Sequence, residues 1–309
     1  MAKFIIYSYK LHLTSDSQIA PLFPEEQLIT PEEALVNKQE IFQQIIDEHI
    51  NGEKPFLIRR RVSSKKDSEW KEYESQILWS QGQITLLQIA NKRSRIKHEG
   101  FKKKPDEDSP WCNVVIDNRH DIQHIAIQKS EAFTKTDTVA SILQESFNSR
   151  LHGYHLETDI DAMYQSSAFW SVISRYRLAG IQMIQFDFAF PNLTWASDML
   201  DKLNAGAKDL GARPSAKFTA PKGGRLNIDC ENKSEDIKTM TNVCTGTGAD
   251  ILVKPATKDA LIHCRDDKEQ RVQQQLPDEV LERAEEKDMF NSIYDHFVTF
   301  SNNIQLFYE

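Results

Sequence analysis

At 309 residues, 39% hydrophobic and 27% charged, the chain has the balance of an ordinary globular protein and the length for two domains. Its net charge of −8 is uneven: residues 54–104 hold 14 Lys or Arg against five Asp or Glu, a balance of +9, so the remainder carries −17 and a polyanion meets one attractive region. No apolar run approaches the roughly 18 residues of a membrane span, and Phe4-Ile5-Ile6-Tyr7 is too short for a signal peptide, so a cytoplasmic protein without membrane insertion is expected.

Residues 3–13 read as a strand with loosely alternating apolar positions. Pro21, Pro24 and Pro31 punctuate a loop, after which Thr30-Pro31-Glu32-Glu33 is a helix start: a cap, a proline at the first helical position and a glutamate three after the threonine. That helix runs to about Ile50, with Leu35, Ile41, Phe42, Ile45 and Ile46 on its buried face. Strands at 56–62, 72–79 and 83–91 form a meander whose turns carry the charge. Residues 97–110, the most polar stretch, read as a mobile loop. Strands at 111–117 and 122–128 make a hairpin across Asn118-Arg119-His120-Asp121. A helix over 137–152 places Val139, Ile142, Leu143, Phe147 and Leu151 on one side. A short strand at 154–157 leads to Asp159 or Asp161 as the cap of a helix containing Met163, Phe169, Trp170, Ile173 and Tyr176.

From Ile181 the pattern changes to alternating strands and helices. A strand over 181–190 stops at Pro191, and a helix follows with Leu193, Ala196, Leu200 and Leu203 on one face. Next come a hairpin of 215–220 and 225–229 turning at Pro221-Lys222-Gly223-Gly224, a helix from Ser234 to the glycines 246 and 248, and a strand at 250–254. The order β-α-β-β-α-β is the split β-α-β, or ferredoxin-like, arrangement. Residues 260–264 add an edge strand, 265–275 are a solvated tract, and a final helix buries Leu281, Ala284, Phe290, Ile293, Phe297 and Phe300. The fold class expected is α+β. It comprises a basic strand-rich domain at 1–130, a helical connector at 131–180 and a ferredoxin-like domain with a long terminal helix at 181–309.

The basic window is the main functional signal. Arg59, Arg60, Arg61, Lys65, Lys66, Lys92, Arg93, Arg95, Lys97, Lys102, Lys103 and Lys104 lie in or beside turns of one meander, interleaved with Trp70, Tyr73, Trp79 and Phe101, which are able to stack on bases. Lys222 and Arg225 form a second, smaller candidate. A rival signal is Arg119-His120-Asp121-Ile122-Gln123-His124, which resembles the catalytic motif of HEPN-type ribonucleases. There an arginine and a histidine act on a ribose hydroxyl and its leaving group, from a helix at a dimer face. Here β-branched runs on both sides point to a hairpin turn instead. The same hairpin offers Asp117 and Lys129 to a restriction-type metal nuclease, but the intervening ligand position is Ile127, which cannot hold magnesium.

His152, His155, Glu157, Asp159 and Asp161 are potential metal ligands, though helix ends account for several of them. Cys244-Thr245-Gly246-Thr247-Gly248 follows a helix, whereas a phosphate loop precedes one. Cys112, Cys230, Cys244 and Cys264 include no Cys-x-x-Cys pair, so buried reduced thiols are expected rather than disulfides or a zinc knuckle, and no metal or cofactor is assigned.

A strand-rich half with basic turns is followed by the 181–190 strand, helices, the returning strand Ile251-Leu252-Val253-Lys254-Pro255 and a helical C-terminus. In this architecture the chain resembles the RexA-like phage-defence DNA-binding proteins and, more distantly, the KwaB-like ones. The resemblance implies a sequence-independent DNA binder, homodimeric, acting in abortive infection with a second defence protein. The expected function is therefore DNA (or RNA) binding as a sensor or adaptor. One alternative is an effector nuclease using Arg119, His120 and His124, and another is a protein-interaction module acting through the acidic half.

Overall fold

The computed structural model describes residues 1–14, 29–48, 56–60, 69–99, 102–188, 214–228, 234–284 and 290–305. In chain order the elements are β1 (Ala2–Leu13), α1 (Pro31–Val36), α2 (Lys38–Asp47), β2 (Phe56–Arg60), β3 (Glu69–Tyr73), β4 (Ser75–Gln81), β5 (Ile84–Ala90), β6 (Arg93–Glu99), β7 (Lys102–Asp108) and β8 (Trp111–Asp117). There follow β9 (His124–Gln128), α3 (Thr136–Leu151), β10 (Leu156–Ala162), α4 (Ser167–Arg175), β11 (Ile181–Asp187), β12 (Ser215–Thr219) and α5 (Glu235–Gly246). The last are β13 (Ile251–Pro255), β14 (Ile262–His263), β15 (Gln273–Leu276), α6 (Asp278–Ala284) and α7 (Phe290–Gln305). The fold mixes helices with antiparallel sheets, as expected, and no described helix is long and apolar enough to cross a membrane. Two compact units result: Met1–Ile5, Tyr9–Ile160 and Gln274–Ser301 in the first, and Ile6–Ser8, Asp161–Gln273 and Asn302–Glu309 in the second.

The main sheet has the order β10-β1-β9-β8-β5-β4, with β15 also on β1. In the first unit, α2 and α3 bury the faces their periodicity foretells: Ile41, Phe42, Ile45 and Ile46 on one, Val139, Ile142, Leu143, Phe147 and Leu151 on the other. Phe42 sits between Tyr9 and Phe147, each ring 4.8 Å away. Trp79 stacks on Phe297 at 5.1 Å, and Phe4 meets Phe300 edge-on at 5.6 Å. The Thr30 capping box forms as read: the Thr30 side chain accepts from the Glu33 N–H and Glu33 reaches back to the Thr30 N–H.

Four expectations are corrected. The expected loop at 97–110 is largely β6 and β7, a two-stranded ribbon. Its register continues that of β5 and β8 without a break: Ile84 faces Asp117, Ala90 faces Trp111, the Asn91 N–H bonds the Pro110 carbonyl, and Arg93 faces Asp108. Backbone pairing propagates outward from two buried strands whatever the polarity of the residues, and a two-stranded ribbon tolerates Pro105 because half its backbone groups face no partner strand. The strand expected at 72–79 divides at Glu74, β3 pairing with β2 and β4 with β5.

The expected helix caps Asp159 and Asp161 lie within β10, where Leu156, Thr158 and Ile160 are buried in alternation. This strand is pinned by α3, since Asn148 both donates to the Thr158 carbonyl (3.1 Å) and accepts from the Thr158 N–H (2.7 Å).

In the second unit the sheet order is β12-β11-β13-β14, antiparallel, over a core of Phe169, Ile173, Ile184, Phe186, Met240, Val243, Ile251 and Val253. The edge strand expected at 260–264 is present as β14. Of the strand expected at 225–229, the described residues 225–228 have no strand structure and are joined to β11 by the bond from the Leu226 N–H to the Ile181 carbonyl. The helix expected after Pro191 lies outside the described residues.

Helix α5 stops where expected, in the glycines: it ends at Gly246, and Gly248 just beyond has a left-handed φ of +66° and a missing Cβ that would lie 2.7 Å from Asp161 Cβ and 2.9 Å from the Asp161 carbonyl oxygen. Both contacts are on a paired strand that cannot retreat. Gly248→Ala is expected to lower stability by about 2 kcal/mol, read from the urea midpoint; an unchanged midpoint would refute the packing.

Candidate functional site

The ribbon β6–β7 sorts its charges along its length. At its base, register partners are of opposite sign: Arg93 with Asp108 and Arg95 with Asp106. Towards the tip lysines gather: Lys97 stands opposite Lys104, a like-charge pair, His98 opposite Lys103, and Glu99 opposite Lys102, again of opposite sign. Among the described residues no third strand pairs with this ribbon. The other basic arm is β2–β3, which places Arg59 opposite Trp70 and Arg60 opposite Glu69. Arg61, Lys65, Lys66 and Phe101 lie outside the described residues.

Several members of the expected patch have protein partners of their own. Lys92 pairs with Glu74, and Arg93 donates to the carbonyls of Glu131 and Ala132, so both secure the ribbon's base. Two of the expected stacking aromatics are core residues: Trp79 is 2% exposed, and Tyr73, 7% exposed, packs on Phe133. In the second unit Lys222 is exposed in its turn, whereas Arg225 donates to the Leu178 carbonyl at 2.9 Å and lies against Gly180.

The rival catalytic residues sit on a β-hairpin, not on the helix that HEPN-type chemistry uses. Arg119 grips Asp117 with Nε at 3.0 Å and Nη2 at 2.7 Å, and the Asp117 side chain is 1% exposed. His120 is exposed beside Asp121. His124, the register partner of Asp117, is buried with no hydrogen-bond partner on Nδ1. Burial lowers its pKa to about 4, the Arg119 charge assisting and the Asp117 charge opposing. Tyr9 donates to Asn118 Oδ1 at 2.5 Å and Asn118 donates to Gln39 and Gln43, so this corner of the sheet is a buried polar network. Tyr9 is pushed up by burial and by Asp117. The network couples the hairpin to α2 and serves the fold.

The five potential metal ligands are dispersed. His152 is 4.0 Å from Glu157, Asp159 lies 3.2 Å from His12 and Asp161 is 4.0 Å from Arg265; among the described residues no group of three or more ligands is positioned for an ion. Cys112, Cys244 and Cys264 are buried thiols, and burial pushes Cys112 up to about 12. Cys230 lies outside the described residues.

Sequence reading missed a second polar cluster, in the second unit. Asp250 precedes β13, and its Oδ2 lies 2.6 Å from His263 Nδ1 on β14 and 3.4 Å from Arg265 Nε. The Asp250 side chain is 9% exposed and that of His263 44%. Asp250 Oδ1 is buried without a partner. The pairing of β13 with β14 brings these residues together, so the signal in the sequence was a histidine two positions before an arginine at the end of an edge strand. The chain matches no protein-family model, and no curated protein or solved structure is significantly similar to it.

Proposed function

We propose that the protein binds duplex DNA without sequence preference, through the ribbon β6–β7 and the arm β2–β3. The carrying observation is the ribbon's outer half, where Lys97 stands directly opposite Lys104, with Lys103 opposite His98 and Lys102 opposite Glu99 beside that pair. Like charges directly opposite one another destabilise a strand pair in the free protein. A polyanion laid along the tip removes that cost, so the arrangement suits a bound phosphate backbone better than bare solvent. Seven paired residues extend roughly 23 Å at about 3.3 Å each, and the major groove of B-form DNA, about 12 Å wide, admits a two-stranded ribbon. The deep, narrow major groove of A-form RNA does not, which favours DNA. Lysine and arginine contacts to phosphates position the protein but read no bases. The sensor or adaptor role in phage defence, the homodimer and the second defence protein follow from the RexA-like resemblance and belong to the same proposal.

Fluorescence anisotropy with 20-base-pair DNA, the matching RNA duplex and single strands, across a salt series, tests this reading. With about six phosphates contacted, the logarithm of affinity should fall against the logarithm of salt with a slope of about −5, DNA duplex binding tightest. No binding at low salt would overturn the proposal. The effector-nuclease alternative at Arg119, His120 and His124 draws less support, because Arg119 is committed to Asp117 and His124 is a weak base in a buried site. For the second unit, the ferredoxin-like reading predicts a helix within 189–213 on the same sheet face as α5, which an experimental structure would check.

A further inference from the structure

We propose that His263, held by Asp250 and flanked by Arg265, is a general base for cleavage of RNA by its own 2′-hydroxyl. Three observations carry this. Asp250, nine-tenths buried, fixes the imidazole through Nδ1 at 2.6 Å, while the His263 side chain is 44% exposed, so that Nε2 is the nitrogen left for a substrate proton. A carboxylate fixing one ring nitrogen sets the tautomer that makes the other a proton acceptor. The Arg265 guanidinium converges on the same Asp250 oxygen at 3.4 Å and is half exposed, so a cation stands beside the base. The remaining carboxylate oxygen, Oδ1, is buried without a donor, an unsatisfied acceptor that a purely structural pair leaves unexplained. Asp250 pairs with both His263 and Arg265, and Asp161 lies 4.0 Å from the Arg265 guanidinium; Cys264, next in sequence, is buried and its thiol is pushed up by that burial and by the charges of Asp250 and Asp267, so it is no nucleophile.

A base and a cation suffice for RNA because the nucleophile is intramolecular. Neutral Nε2 takes the 2′-hydroxyl proton, and the 2′-oxygen attacks the adjacent phosphorus. The 2′-O–P bond forms as the P–O5′ bond breaks, and Arg265 holds the charge on the non-bridging oxygens. The departing 5′-oxygen takes a proton from water and the imidazolium returns its own, so the products are a 2′,3′-cyclic phosphate and a 5′-hydroxyl. DNA lacks the 2′-hydroxyl and stays intact.

This inference rests on the chain holding nucleic acid. Its test incubates the full chain with labelled single-stranded RNA and with DNA of the same sequence from pH 5.5 to 8.5, and reads the ends produced. Cyclic-phosphate ends are expected from RNA alone, with His263→Ala and His263→Gln slowing cleavage at least a hundredfold and Arg265→Gln slowing it about tenfold, all with unchanged duplex DNA binding. Asp250→Asn should slow cleavage and move the midpoint of the pH profile. RNA left intact by a protein that binds DNA overturns the inference, as does cleavage that persists in both His263 variants. Loss of DNA binding in the salt series overturns the ribbon proposal instead.

Discussion

The triple variant Lys102→Glu, Lys103→Glu, Lys104→Glu is expected to bind duplex DNA about a hundredfold more weakly near 100 mM salt, with the salt slope reduced by about three. The size follows from counterion release, since each lysine that neutralises a phosphate contributes a little under one unit of slope. Loss of fold is a poor rival explanation, because the register balances the new charges. Glutamate at 104 would face Lys97, an opposite-charge pair in place of a repulsive one; glutamate at 102 would face Glu99, a repulsive pair in place of an attractive one; glutamate at 103 would face His98. Far-UV circular dichroism should therefore match the parent protein. Wild-type affinity and slope in the variant would remove the ribbon from the interface and leave the arm β2–β3 to account for any binding. Reversal of Arg59 and Arg60 in the same assay then separates the two arms.

Why the ribbon's charge arrangement escaped a reading of the sequence is a matter of register. Lys102-Lys103-Lys104-Pro105-Asp106-Glu107-Asp108 looks like a solvated loop because no apolar periodicity marks it, and its strand character comes from the buried pair β5 and β8 on which it grows. Only with the register known does it emerge that Lys97 is opposite Lys104 in the outer half, whereas Arg93 and Arg95 are opposite acids at the base. The same holds for His263 and Asp250, thirteen positions apart and joined by strand pairing. Helices α2 and α3 were legible because their apolar residues recur at helical spacing and each has one buried face. The strand β10 was not, since Glu157, Asp159 and Asp161 alternate with Leu156, Thr158 and Ile160, and acids just ahead of an apolar run also look like helix caps. Arg119 was singled out for chemistry, but its partner Asp117 is two residues away, and burial of that carboxylate turns the pair into a structural one.

His124 makes acid stability the sharpest physical test of that buried corner. In the unfolded chain the ring titrates near 6.5, whereas in the folded protein burial holds its pKa down to about 4. Above pH 6.5 neither state carries the proton, and the site contributes its full stability. Between 6.5 and 4 the unfolded chain binds the proton and the folded one does not, so stability falls with pH; below 4 both are protonated and the loss is complete. A shift of that size corresponds to about 3 kcal/mol, a large share of a typical domain's stability. His124→Leu removes the titration together with the unpartnered Nδ1, so its stability at pH 7 should change little while its pH dependence flattens. Urea unfolding at pH 7 and pH 4 should therefore show wild type losing about 3 kcal/mol more than the variant. Equal losses in the two proteins would mean that the ring is hydrated or hydrogen-bonded in solution, and a hydrated His124 beside Asp117 and Arg119 would return that corner to the list of places where proton transfer is chemically feasible.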